Sequence, residues 1–157
     1  MAAEVGVTSY VSREEADAYF RDRLHAEAWA EASTERQEAA LVTATRRIDS
    51  LRLRGQKADP RQALAFPRRY PGPHGWYVEY TVPEAVRIAT CEEALALLSE
   101  TSGDRERRKL LELGIVSRTV GDASETYRQD AKLRSDLLSP VASRLMDPYI
   151  AGAVSIA

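Results

Sequence analysis

The run from Pro83 to Glu100 constrains the fold more than any other stretch of this 157-residue chain. Pro83 suits the first position of a helix, because its φ is already helical and its missing N–H would have no partner there. Val86, Ile88, Ala89, Cys91, Ala94, Leu95, Leu97 and Leu98 then cover more than one narrow stripe of that helix. A helix apolar over so much of its circumference is stable in water only when other elements enclose it. The spacing therefore predicts a central helix inside a small helical bundle. With 44% apolar residues, the chain can supply the core of one mainly α domain.

Helices able to enclose it are signalled on both sides. Ser12 and Glu15 have the spacing of a capping box, in which each side chain bonds the other residue's backbone N–H. The helix that starts there carries Ala16, Tyr19, Phe20 and Leu24 as an apolar stripe and runs on toward Trp29. A second begins near Thr34 with Ala40, Leu41, Ala44, Ile48 and Leu51 inward and Glu38, Thr45 and Asp49 on the opposite face. Asp104 to Leu113 reads as a short charged helix closed by Gly114, and the runs flanking Gly121-Asp122 as a β-hairpin near 115–127. A last helix starts at Ser139-Pro140 and stops around Pro148. Leu138, Val141, Leu145, Met146, Tyr149 and Ile150 are many apolar residues for so peripheral a segment. The chain is accordingly read as a helical domain over 1–138 and an assembly arm over 139–157. Packing of Val141 and Leu145 on their own bundle is the alternative.

Between the second and third helices lies a long Pro/Gly-rich connection, Leu53 to Val82, with Pro60, Pro67, Pro71 and Pro73 inside it and Pro83 at its edge. Loops of this length are uncommon unless functional. Arg52, Arg54, Lys57, Arg61, Arg68 and Arg69 face Asp59 alone, a local surplus of positive charge in a protein whose formal net charge is −2. Phe66, Tyr70, Trp76, Tyr77 and Tyr80 add aromatic surface. A solvated loop pinned to the bundle by its aromatics is one reading, and contact with DNA phosphates or an acidic partner surface the other.

Catalytic chemistry has little to stand on. His25 and His74 lack metal-ligand spacing, and Cys91 sits in an apolar run where a thiol behaves as a small hydrophobe. Adjacent Glu92 and Glu93 point about 100° apart on a helix and read as polar-face residues rather than an acid–base pair. No glycine-rich phosphate loop occurs, and the basic run Arg105 to Lys109 reads as the charged face of a short helix. No catalytic, cofactor or metal residue is expected. No apolar run approaches the ~20 residues of a membrane span, so a soluble protein without a membrane partner is expected.

Several segments, taken in order, resemble one family. They are Ser9-Tyr10-Val11-Ser12-Arg13-Glu14-Glu15-Ala16-Asp17-Ala18-Tyr19-Phe20; Arg54-Gly55-Gln56-Lys57 followed by Gln62-Ala63-Leu64-Ala65-Phe66-Pro67-Arg68; Val82-Pro83-Glu84-Ala85-Val86; Ala89-Thr90-Cys91-Glu92-Glu93-Ala94-Leu95-Ala96; and Ser139-Pro140-Val141 through Asp147-Pro148-Tyr149. The order is similar to that of head–tail connector (adaptor) proteins of tailed phages, some of whose relatives carry the label DnaT-like single-stranded DNA binding. The resemblance implies a virion protein, assembled in the host cytoplasm as a ring of typically twelve copies under the portal protein. Such a ring joins the portal to a stopper or tail-side neck protein and leaves a channel for genomic DNA. The alternative is a single-stranded nucleic-acid binding protein, with the basic segment on phosphates and Trp76 or Tyr77 stacking on bases. Neither role is enzymatic.

Overall fold

The computed structural model describes residues 3–112, 117–120, 123–126 and 137–152. Helices dominate: α1 (Arg13–Arg21), α2 (Glu27–Ala30), α3 (Thr34–Asp49), α4 (Glu84–Ser99), α5 (Ser102–Glu112) and α6 (Pro140–Met146), with a 3-10 turn over Asp147–Tyr149. Strands β1 (Gln56–Lys57), β2 (Arg68–Gly72) and β3 (Gly75–Val78) form an antiparallel sheet in that order, and β4 (Ser117–Val120) pairs with β5 (Ala123–Thr126). The expected hairpin near 115–127 is present in these two strands. Gly114, Gly121 and Asp122 lie outside the described residues. The fold is mainly α, as the sequence implies. The described parts of Met1–Leu98 and Leu137–Ala157 make one compact unit and those of Ser99–Asp136 a second.

The capping box at α1 forms as its spacing requires, with Glu15 N donating to Ser12 Oγ at 3.2 Å and Ser12 N to the Glu15 carboxylate at 2.9 Å. The helix nevertheless ends at Arg21, not beyond Leu24. His25 turns the chain with a φ of 60°, and Leu24, expected in the apolar stripe, is left exposed. The short α2 then buries Trp29 against Phe20, ring centroids 4.8 Å apart. In α3 the cap is Ser33 rather than Thr34, while Ala40, Leu41, Ala44 and Ile48 line the core as expected. Thr45, assigned to the outer face, is fully buried because its hydroxyl accepts the Tyr10 N–H.

Helix α4 is enclosed along most of its length, with Val86, Ala89, Ala94 and Leu95 in the core. Glu92 and Glu93 are buried there too, contrary to their reading as polar-face residues. Burial of two adjacent carboxylates is tolerable only when each is paired. Glu92 accepts from Tyr19 Oη at 2.7 Å and Arg23 Nη2 at 2.8 Å. Glu93 accepts the backbone N–H groups of Leu138 and Ser139 at 3.0 and 2.9 Å and pairs with Arg47 at 3.2 Å.

Those two N–H groups lead into α6, so Glu93 fastens the C-terminal segment to the bundle. Met146 and Ala142 are fully buried, Tyr149 meets the Phe66 ring edge-on at 5.3 Å, and Arg54 N donates to Tyr149 O at 2.7 Å. Residues 137–152 belong with the main unit, because their polar backbone and apolar side chains find partners inside the chain. Leu138, Leu145, Tyr149 and Ile150 are half-buried, and Val141 is 40% exposed. Residues 153–157 lie outside the described residues.

A candidate nucleic-acid interface

The connection from Leu53 to Val82 is a built element rather than a loop. Gln62 organises its first half: its amide N donates to Leu64 O and Pro67 O, both at 2.9 Å, and its amide O accepts Asp59 N at 3.0 Å. Leu64 and Phe66 insert into the core, and the Phe66-Pro67 peptide is cis. Tyr10 Oη accepts Phe66 N, donates to Asp49, and leaves the other Asp49 oxygen for Ala65 N at 3.1 Å. Burial, then the hydrogen bond to Asp49 and its charge, pushes the Tyr10 hydroxyl far above its ordinary value, so it stays a donor.

Arg68 completes this arrangement. It is 7% exposed, and its guanidinium donates to the carbonyls of Arg54 at 2.7 Å, Gly55 at 2.9 Å and Ala65 at 3.0 Å. A planar five-donor group is suited to gathering several carbonyls from separate turns. The sequence groups Arg68 with the residues that contact a partner or the DNA channel; the structure buries its guanidinium inside the fold. Lys57 is similarly committed, donating to Gln62 O at 3.0 Å and Ala63 O at 3.3 Å. Gly55 is required where it stands: φ is 71°, and a Cβ would meet Arg69 O at 2.3 Å.

From Arg68 the chain enters the β2–β3 hairpin, in which Tyr70 pairs with Tyr77, Pro71 with Trp76 and Gly72 with Gly75 around a Pro73-His74 tip. β1 covers only Arg68 and Arg69, so Pro71 needs no donor on that side. Side chains alternate across a strand. Arg69 and Trp76 consequently share one face, the guanidinium carbon 4.9 Å from the indole centroid, and Tyr70 and Tyr77 share the other, stacked at 6.4 Å. Trp76 is 51% exposed, Tyr77 66% and Tyr80 90%. Burial, reinforced by Glu79, pushes the Tyr70 hydroxyl up to about 12, so that hydroxyl is neutral at physiological pH.

Of the six cations expected at a partner or DNA, Arg52, Arg54 and Arg61 are exposed and Arg69 is half-buried over Trp76. Arg54 also donates to Pro148 O at 3.2 Å. In the second unit, Arg108 pairs with Glu100 at 3.0 Å and Arg105 lies 3.9 Å from it, so part of the basic run of α5 is neutralised locally. Burial pushes the Cys91 thiol up to about 12, leaving it protonated and inert. Among the described residues no cluster of three or more His, Cys, Asp or Glu is poised for a metal, and no helix is long and apolar enough to cross a membrane.

These features define a small mainly helical protein that displays an aromatic and arginine-bearing hairpin from its main unit. Residues 2–157 match the model of a family described as "Putative DnaT-like ssDNA binding protein", and the chain belongs to that family. No curated protein and no solved structure matched the chain.

Proposed function

We propose that this protein binds single-stranded nucleic acid through the β2–β3 hairpin. The observation that carries the reading is the pairing of solvent-exposed aromatic faces with arginine on one rigid element: Trp76 beneath Arg69, and Tyr77 stacked on Tyr70. Unpaired bases stack on aromatic side chains, at about 1–3 kcal/mol per base, whereas the bases of a duplex are already stacked on one another. Exposed Arg52, Arg54 and Arg61, on the segments before and after β1, supply phosphate contacts in a protein whose overall charge gives no long-range attraction. Family membership supports the same reading. No catalytic step belongs to it.

Fluorescence anisotropy of a labelled oligothymidylate tests it. Binding should weaken steeply with salt, and replacing both Trp76 and Tyr77 by Ala should weaken it about tenfold. Affinity unchanged by both substitutions, or no binding at low salt, would sink the proposal.

One observation favours a second reading, the head–tail connector. Leu138, Val141 and Leu145 recur at three- and four-residue spacing and keep apolar surface in solvent. In that reading they meet a neighbouring copy in a ring, the portal protein, or a stopper or tail-side neck protein, and genomic DNA passes the hairpin in the channel. Electron microscopy of the protein alone and mixed with portal tests it: rings or portal complexes that Val141→Asp disrupts support it, and a protein monomeric in both samples contradicts it.

A further inference from the structure

Trp76 and Tyr77 are consecutive residues of one strand, and consecutive strand side chains point to opposite faces. Their partners show that the alternation holds: Trp76 lies with Arg69, and Tyr77 with Tyr70, across the ribbon. The hairpin therefore has two aromatic faces, not one platform. The body does not cover either face near the tip, since Gly72, Pro73, His74, Gly75, Trp76 and Tyr77 are all exposed.

A single strand running along one face meets one of the two aromatics. To stack on both it would have to fold around the ribbon within one or two nucleotides. Two strands that diverge on either side of the ribbon reach both aromatics without bending. We infer that the preferred ligand of the hairpin is the junction where two single strands leave a duplex, with Trp76 stacking on a base of one strand and Tyr77 on a base of the other. This rests on the single-strand reading above and names its substrate.

The two faces are also chemically unlike. Arg69 puts a cation beside Trp76, while the Tyr70–Tyr77 face has Glu79 close by, 3.4 Å from the Tyr70 hydroxyl. Phosphate contact is thus stronger on the tryptophan face, and the tyrosine face holds its strand by stacking. The exposed Pro73-His74 tip stands where the first base pair of the duplex would be.

The test uses the full chain and three labelled DNAs: a fork with two oligothymidylate arms on the order of 15 nucleotides, the same duplex without arms, and a single strand of matching length. The fork carries 2-aminopurine at its last base pair. The fork should bind about tenfold more tightly than the single strand, and the blunt duplex more weakly than either. Trp76→Ala and Tyr77→Ala should each reduce fork affinity to the single-strand level, and the rise in 2-aminopurine fluorescence seen with the wild-type chain should disappear. Arg69→Ala should weaken the fork and the single strand alike. Equal affinity for fork and single strand overturns the junction inference and leaves single-strand binding standing, as does a fork preference that survives both aromatic substitutions. No binding to any of the three DNAs overturns the single-strand reading itself, and the junction with it.

Discussion

Arg68 and Arg69 are neighbours with the same charge and opposite destinations. Arg68 gathers three carbonyls from inside the protein, whereas Arg69 lies on Trp76 and bonds Gln56 Oε1 at 2.8 Å. Removing the first strands the buried Ala65 carbonyl, at a cost of about 1–3 kcal/mol, and breaks two part-buried bonds to Arg54 O and Gly55 O, each contributing about 1 kcal/mol or more. Arg68→Ala should therefore destabilise the fold by about 3 kcal/mol or more, read by chemical denaturation. Arg69→Ala should change stability by less than about 1 kcal/mol and reduce oligothymidylate affinity. Equal stability of the two variants would contradict the assignment. Composition marked both residues as part of a positive segment, which is true. It could not separate them, because alternation along β2 sends one inward and the other outward, and β2 was hidden in a run whose proline and glycine content is equally that of a loop. The motif Gln62-Ala63-Leu64-Ala65-Phe66-Pro67-Arg68 was visible in the sequence as a resemblance. Its physical content, a turn closed by Gln62 and Arg68 on backbone carbonyls, was not.

At the scale of elements, helix positions were legible wherever the signals are local. The Ser12–Glu15 box, the apolar period of α3 and the Ser139-Pro140 start all name their helices within a residue or two. The buried glutamates of α4 were not legible, because their partners come from Tyr19, Arg23, Arg47 and the 138–139 backbone, remote in sequence. Glu93→Ala should loosen α6, and hydrogen exchange of residues 142–146 should accelerate in the variant while α3 stays protected. Rapid exchange of that segment in the wild-type monomer would instead favour an arm ordered only by a partner. Glu92 makes a pH prediction. Burial alone would raise its carboxyl, yet hydrogen bonds from Arg23 and Tyr19 outweigh this and hold it below the ordinary value. The folded state thus binds this proton less readily than the unfolded chain. Its stabilisation is complete above about pH 4.3 and is lost as pH falls through the lower folded value. Asp49 runs the other way, raised chiefly by burial, so ionising it costs stability as pH rises. The Glu92 contribution is isolated by comparison with Glu92→Gln, which should be less stable at pH 7 by about 1.5–3 kcal/mol and lose less on acidification, followed by thermal melting. Parallel acid limbs for the two proteins would refute the pairing.

At the scale of the whole molecule, the proposed function falls on a hairpin that stands outside the hydrophobic core and is anchored to it. Phe66, Arg68 and the Tyr10–Asp49 pair anchor its root, and the tip remains in solvent. Net charge near zero gives a nucleic acid no long-range attraction, so the proposed binding rests on short-range stacking and a few arginines. The most direct measurement uses the two tryptophans, since Trp29 is buried and Trp76 is half-exposed. Titrating the full chain with unlabelled oligothymidylate should quench the red-shifted emission of Trp76 to saturation. Salt should restore it, and Trp76→Ala should leave only the unresponsive emission of Trp29. A single strand that binds without altering Trp76 emission, or one that leaves the emission unchanged at every concentration, would contradict the hairpin as the binding element.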